Sequence, residues 1–214
     1  MRIGIIGAAG TGKTALAKNL SAHLGVPLVD DFVLTILKEQ GRDSWRGVSD
    51  PKARRKIRED ALRRKIAAEA ERDAFVSDKT VVDYAAYWLQ NQSEHEDAAI
   101  NATFVGECRA AAARYDLFVY LPYRDKVDFG VGRNQDPTHN LKVAAVKRGL
   151  LTVWRLPVVD AAYTFGESVA EWAARNLRIP FLGVIGEREV EAKALAVRSR
   201  DENKELGAIP VADV

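Results

Sequence analysis

The sequence predicts an α/β protein built on a five-stranded parallel sheet with helices on both faces, followed by a small C-terminal β appendage. Three observations carry that expectation. Short apolar runs ending in turn or acidic residues alternate with longer stretches of helical period, the pattern of a parallel sheet covered on both sides. The stretch Gly7-Ala8-Ala9-Gly10-Thr11-Gly12-Lys13-Thr14 satisfies G-x-x-x-x-G-K-[ST] at every fixed position, between a candidate strand and a candidate helix. Beyond residue 177 the alternation gives way to strand-like runs joined by charged residues. The expected division is a domain over 1–177, with a lid near 123–137, and an appendage over 178–214.

Bulk properties narrow the class. A chain of 214 residues is long enough for a real core, and a formal charge of +2 gives no global field that would draw it to nucleic acid or membrane. One cysteine, Cys108, excludes an internal disulfide, and without a Cys/His cluster there is no structural zinc site. No apolar run approaches the ~18 residues of a membrane span. These features predict a soluble, cytoplasmic protein.

Arg2-Ile3-Gly4-Ile5-Ile6 is the first buried strand, and the helix after the glycine loop places Leu16, Leu20 and Leu24 on one face. Gly7, Gly10 and Gly12 allow the tight path that turns backbone N–H groups inward, and the helix adds its positive end at the same point. Thr11 completes the cradle. The motif assigns a nucleotide's phosphates to this loop, with Lys13 reaching the terminal phosphates and the Thr14 hydroxyl ligating Mg²⁺.

Gly25 ends the helix, and Val26-Pro27-Leu28-Val29 is a second strand that stops at Asp30-Asp31. Ligands of open α/β sheets bind outside the carboxyl ends of the strands, so this pair falls on the same rim as the phosphate loop. Either acid can serve as base or anchor for an acceptor hydroxyl, and Asp31 can equally be the N-cap of a helix from Phe32 to Gln40. In the following loop Trp45 lies between Arg42 and Arg46, placed to stack on a ring or to fold back on the core.

A charged helix is expected from Pro51 to Asp73, with an apolar stripe of Ile57, Ala61, Leu62, Ile66 and Ala70. Its basic residues Arg54, Arg55, Lys56, Arg58, Arg63, Arg64 and Lys65 read as a solvated face, partly balanced by Glu59, Asp60 and Glu69 at helical spacing. The alternative is an electrostatic footprint for a phosphate-bearing acceptor.

Ala74-Phe75-Val76-Ser77-Asp78 is a third strand whose terminal carboxylate suits Mg²⁺, held directly or through water. The next helix should bury Val81, Val82, Ala85, Ala86, Trp88 and Leu89, with Asp83 and Tyr87 one turn apart on a face that can line the acceptor pocket. An Ala-rich helix over 96–114 is expected to pack through Ala98, Ala99, Ala102, Val105, Ala112 and Ala113. Leu117-Phe118-Val119-Tyr120-Leu121 is the fourth strand. The aperiodic stretch after Pro122 reads as a lid whose Arg124 and Arg133 can meet charge on a transferring phosphoryl group. A helix from about His139 to Val153, a fifth strand over Leu156-Pro157-Val158-Val159-Asp160 and a helix over 166–177 complete the domain.

With these stations in place, the chain from Met1 to about Leu177 resembles the P-loop nucleoside and nucleotide kinase superfamily, especially the branch that includes ribosylnicotinamide kinase. The resemblance rests on the loop at Gly7 to Thr14, the acids Asp30-Asp31, the run Phe75 to Asp83 continuing to Tyr87, and Asp128-Phe129-Gly130-Val131-Gly132-Arg133. It implies ATP·Mg²⁺ as donor and transfer to a nucleoside- or nucleotide-like acceptor. Such enzymes often carry Asp-Arg after the third strand; this chain has Asp78-Lys79, which cannot make the bidentate contact of an arginine.

The tail is similar to part of another family. Ile179 to Val190, Val197-Arg198-Ser199-Arg200 and Glu205-Leu206-Gly207 resemble the last part of the anticodon-binding domain of threonyl-tRNA synthetases, covering about half of such a domain. Phe181 to Ile185 and Ala194 to Arg198 read as two strands.

The sequence thus points to a small ATP-dependent kinase. Lys13 and Thr14 hold donor and metal, Asp78 supports the metal, Asp31 or Asp30 orients the acceptor, and Arg133 closes over the phosphates. Two alternatives stand beside it: a kinase whose acceptor is a nucleic acid, motivated by the basic helix and the tail, and an NTP-hydrolysing switch module.

Overall fold

The computed structural model describes residues 1–45, 47–123, 136–161, 181–184, 194–199 and 204–210, the last three ranges as backbone strands. The chain forms two compact units, Met1–Asp160 and Ala161–Val214.

The first unit is the expected five-stranded sheet, in the order β2-β3-β1-β4-β5. Its strands are β1 (Arg2–Gly7), β2 (Leu28–Val29), β3 (Phe75–Asp78), β4 (Leu117–Leu121) and β5 (Val158–Asp160), and every neighbouring pair is parallel. The helices are α1 (Lys13–Leu24), α2 (Phe32–Glu39), α3 (Pro51–Ala70), α4 (Val81–Asn91), α5 (Ala98–Ala112) and α6 (Pro137–Val153). β1 is central and buried throughout after Arg2, which accounts for its unbroken Ile-Gly-Ile-Ile run.

Local chemistry fixes where each helix starts. Asp31, Asp50, Asp97 and Asp136 cap α2, α3, α5 and α6 by accepting from backbone N–H groups of the first turn, and proline opens both α3 and α6. Thr80 caps α4 in a reciprocal box with Asp83. Gly25 closes α1 at φ 63°, returning its N–H to Ala22 and Ser21.

The core joins the sheet to both helical layers. Trp88 of α4 stacks on Phe104 of α5 at 3.9 Å, and Tyr115 links Phe75 edge-on to Phe118 face-on. Three expectations about packing change. In α5 the buried residues are Phe104, Cys108, Ala111 and Ala112, while Ala98, Ala99, Ala102 and Ala113 face solvent. Leu89 of α4 is 39 % exposed.

The larger correction concerns α3. Its interior face carries Ile57, Arg58, Ala61, Leu62, Lys65 and Glu69, whereas Ala70 is exposed. Arg58 and Lys65 are therefore not on a solvated face. Lys65 Nζ donates to the carbonyls of Val29, Asp30 and Asp78 at 2.9, 3.0 and 3.1 Å, joining the carboxyl ends of β2 and β3. Glu69 stands 3.6 Å from that ammonium and accepts from Ser77 and Tyr115, so the buried charge is paired and bonded. The rest of the basic series does meet solvent or surface acids, as in Arg64 with Glu39 and Arg63 with Asp60.

The second unit contains a three-stranded antiparallel sheet, β6 (Phe181–Val184), β7 (Ala194–Ser199) and β8 (Lys204–Pro210), in that order. The sequence predicts the first two; β8 is the addition. The expected helix over 166–177 lies outside the described residues.

Candidate active site

Strand register brings the separate motifs to one rim. Asp78 pairs with Ile5 across β3 and β1, two residues before Gly7, and Val29 pairs with Ser77 across β2 and β3. Asp30 and Asp31 thus follow one strand, Asp78 ends its neighbour, and the phosphate loop leaves the next.

The loop itself needs its glycines for two different reasons. Gly10 and Gly12 sit at φ 77° and 89°, in the left-handed region that side chains resist. Gly7 has ordinary torsions, but a Cβ there would lie 2.6 Å from the carbonyl oxygen of Leu121 and 3.0 Å from Thr11 Oγ1. Thr11 Oγ1 and Lys13 Nζ both donate to the carbonyl of Ala8, at 2.9 and 2.5 Å, so the lysine is folded back across its own loop. Burial, then repulsion from Lys147, lowers the Lys13 pKa to about 7 against the attraction of Asp83 and Asp78. An anion entering the cradle reverses that balance and favours the charged ammonium. Thr14 is exposed at the start of α1.

The acidic residues separate into distinct environments. Asp31 is the centre of a bonded cluster: its carboxylate accepts from Val33 N at 3.0 Å, from Tyr84 Oη at 3.0 Å and from Lys79 Nζ at 2.5 Å. Burial alone would raise this carboxyl; the Lys79 ammonium and the hydrogen bonds outweigh it and hold the pKa below its usual value. Asp31 is therefore an N-cap and also a charged member of the rim. Asp30 is exposed, and its side chain makes no hydrogen bond among the described residues. Asp78 is 8 % exposed, with its carboxylate unpaired among the described residues and its carbonyl held by Lys65.

Two lysines that sequence reasoning did not assign complete the rim. Lys79 occupies a left-handed turn at φ 59° between β3 and α4, and from there reaches Asp31. The missing arginine is thus replaced by a single-point ion pair. Lys147 of α6 is fully buried, with Nζ 2.6 Å from the carbonyl of Gly7 and 2.6 Å from Asp83 Oδ1. Tyr87 lies between them, its ring centroid 5.4 Å from Lys79 Nζ and 4.8 Å from Lys147 Nζ. Asp83 is fully enclosed, accepting from Thr80 N and Thr80 Oγ1 and facing Lys147. A signal for Lys147 was present in the sequence: Val143, Lys147 and Leu151 share one helical face, so the lysine interrupts an apolar stripe. Arg124 and Arg133, with the lid segment between them, lie outside the described residues.

Mg²⁺ fits the groups available. Among the described residues no cluster of three or more His, Cys, Asp or Glu could hold a metal alone. A P-loop site asks for less: one hydroxyl, one carboxylate, water and the nucleotide's own phosphates. Of those two kinds, Thr14 offers an exposed hydroxyl and Asp78 a carboxylate unpaired among the described residues.

The glycine loop between β1 and α1, the sheet order and the strand-end acids define a P-loop α/β protein of the nucleoside-kinase type of fold. The chain belongs to the AAA domain family, whose model matches residues 2–167. A model of the anticodon binding domain matches residues 133–214. Among solved structures, deoxyadenosine kinase from M. mycoides with bound dATP aligns at a TM-score of 0.59 and 15 % identity, covering 83 % of this chain and 98 % of that one. NadR protein in complex with NR aligns at 0.59 and 16 % identity, covering 81 % of this chain and 49 % of that one. NadR in complex with NAD and AMP-PNP aligns at 0.51 and 17 %, covering 77 % and 45 %. Among the described residues no helix is long and apolar enough to cross a membrane.

Proposed function

We propose that this protein is an ATP-dependent phosphotransferase that moves the γ-phosphoryl group to a hydroxyl or phosphate of a nucleoside- or nucleotide-like acceptor. The observation that supports it most is the convergence, on one sheet rim, of a phosphate loop with an idle lysine, an unpaired strand-end carboxylate and a second carboxylate held by Lys79 and Tyr84.

The roles follow from charge and position. Lys13 leaves the Ala8 carbonyl for the terminal phosphates, and the backbone N–H groups of Gly10, Thr11, Gly12 and Thr14 orient the donor. Thr14 and Asp78 would hold Mg²⁺, which would supply neutralisation of charge on the phosphates. Asp31, with Asp30 as the alternative, accepts the hydrogen bond that orients an acceptor hydroxyl toward the phosphorus. Lys79 keeps Asp31 ionised, suiting it better to positioning than to strong proton abstraction. Tyr87 forms the far wall of the acceptor pocket, while Asp83, expected from the sequence to line it, is enclosed behind that wall and braced by Lys147. Arg124 and Arg133 are proposed to meet the transferring group from the lid of a domain extending to 177. The soluble, cytoplasmic setting expected from composition suits a cytosolic ATP pool.

ATP consumption screened against nucleosides, nucleoside monophosphates, ribosylnicotinamide and oligonucleotides tests this reading. Acceptor-dependent ADP formation supports it; steady ATP hydrolysis indifferent to every acceptor replaces it with the switch-module reading.

A further inference from the structure

Arg58 presents a charge that no acid in the described chain answers. It is 9 % exposed, its Nε has no hydrogen-bond partner, and it forms no ion pair among the described residues. Another cation, Arg54, is among its charged neighbours and repels it. The one favourable contact is the face of Trp45, whose ring centroid lies 4.8 Å from the guanidinium carbon. A cation over an aromatic ring recovers ~1–2 kcal/mol, less than the cost of removing a guanidinium from water. Burial and Arg54 together pull the Arg58 pKa down to about 10, the direction expected of a cation awaiting a counter-charge.

Its place in the fold says where that counter-charge enters. α3 runs back along the sheet toward the start of β3, so its N-terminal turns extend past the carboxyl ends of the strands. Lys65 marks the level of those ends through its bonds to Val29, Asp30 and Asp78. Arg58 lies two turns earlier on the same helix face, about 10 Å further out. Tyr87 is among the ionisable groups around it, and Tyr87 in turn meets Lys79, the partner of Asp31. The loop carrying Trp45 is tied down on both sides of this point, with Arg42 bonded to the Gly47 carbonyl and Arg54 to that of Val48. A held ring beside a buried, unpaired guanidinium is a receptor for a flat group bearing an anion.

We propose that Arg58 and Trp45 form an anion subsite of the acceptor pocket, so that the preferred acceptor is a nucleoside phosphate monoester in place of a neutral nucleoside. The inference rests on the phosphotransferase reading of the same rim and narrows its acceptor class. In this arrangement Arg58 bonds the monoester oxygens, Trp45 lies against the ring system, and Asp31 stays available to the group that receives the phosphoryl.

The test uses the full chain with its phosphate loop saturated by a non-hydrolysable ATP analogue and Mg²⁺, so that added anions cannot occupy the cradle. Matched pairs are titrated by calorimetry: deoxyadenosine and its 5′-monophosphate, adenosine and its 5′-monophosphate, ribosylnicotinamide and its 5′-phosphate. Inorganic phosphate is the control. At least one monophosphate should bind wild type about tenfold or more tightly than its nucleoside, the gain expected from charge-assisted hydrogen bonds. Arg58→Met should erase that preference while leaving nucleoside affinity unchanged, and Arg58→Lys should keep part of it. Without ligand, Arg58→Met should melt at or above the wild-type temperature, because it removes an uncompensated charge. The proposal is overturned if no monophosphate outbinds its nucleoside on wild type, if Arg58→Met retains the preference, or if that variant melts well below wild type, which would make Arg58 a structural cation. ADP formation is read separately. Turnover of nucleosides with no monophosphate preference sinks the subsite and leaves the kinase reading, whereas an Arg58-dependent preference without turnover does the opposite.

Discussion

Lys147 Nζ touches both the carbonyl of Gly7 and the carboxylate of Asp83 at 2.6 Å, with no solvent exposure at either side chain beyond 1 %. One ammonium thus ties three elements together: the last residue of β1, the first turn of α4 and the middle of α6. Asp83 would otherwise be a buried carboxylate bonded only to Thr80. The pair also fixes the carbonyl at which the phosphate loop begins.

Breaking this contact from either side should be costly. Lys147→Met leaves Asp83 buried and unpaired, and Asp83→Asn leaves Lys147 so; each should lose ~3–5 kcal/mol of unfolding free energy. The double variant Lys147→Met/Asp83→Asn should lose less than the sum of the two. Urea denaturation of the four proteins checks this, and additive losses would mean that the two charges do not support each other.

Asp31 and Asp30 should respond differently to amidation. Asp31→Asn removes the partner of Lys79, at a cost of about 2–3 kcal/mol, below the figure for a fully enclosed pair because the carboxylate is 13 % exposed. Because the folded pKa of Asp31 is depressed, its contribution is complete above the unfolded value of ~3.9 and is lost as pH falls through the folded value. The stability gap between wild type and Asp31→Asn should therefore be constant near neutrality and close only in acid. If Asp31 orients the acceptor, turnover falls far more than ATP affinity. A turnover loss confined to Asp30→Asn would move that role to the exposed neighbour.

The sequence made the phosphate loop legible because each fixed position has a residue-specific demand. Gly12 must turn left-handed, Gly7 must admit the Leu121 carbonyl, and Lys13 must reach across the loop. The sheet was legible through the alternation of apolar runs with helical ones. The buried cations stayed hidden for one reason. Helical period tells which face turns inward but not which buried carbonyls need a donor, so Lys65, with Arg58 beside it, read as surface charge and Lys147 drew no assignment. Period also failed in α5, where alanine suits either face and only Phe104 and Cys108 mark the buried one. β8 escaped because Gly207 and its charged neighbours hide the alternation of an antiparallel strand.

Gly7 and Gly12 should differ when replaced by alanine. At Gly7 the new Cβ meets backbone, the Leu121 carbonyl at 2.6 Å, which cannot step aside without parting β1 from β4. At Gly12 the space is open and the cost is the left-handed torsion, ~1–2 kcal/mol. Gly7→Ala should therefore lower the melting temperature more than Gly12→Ala and displace the loop. Equal melting temperatures would show that the loop yields more readily than the register implies.

Lys13 and Asp78 carry the donor half, and their variants separate phosphate binding from metal binding. Lys13→Ala removes an ammonium that contributes nothing to the sheet beyond its bond to Ala8, so the fold should persist by circular dichroism. Turnover should fall by ~100-fold or more, the usual loss of one electrostatic stabiliser of a transferring group. Asp78→Asn keeps the side chain's shape but removes the charge from a position unpaired among the described residues and 8 % exposed. The Mg²⁺ concentration for half-maximal turnover should rise by ~10-fold or more, while nucleotide affinity without Mg²⁺ holds or improves as a negative charge leaves the phosphate site. A Lys13→Ala protein with near-normal turnover would refute the donor site outright. An Asp78→Asn protein with an unchanged Mg²⁺ requirement would leave Thr14 as the protein's metal ligand and assign Asp78 to holding the rim with Lys65.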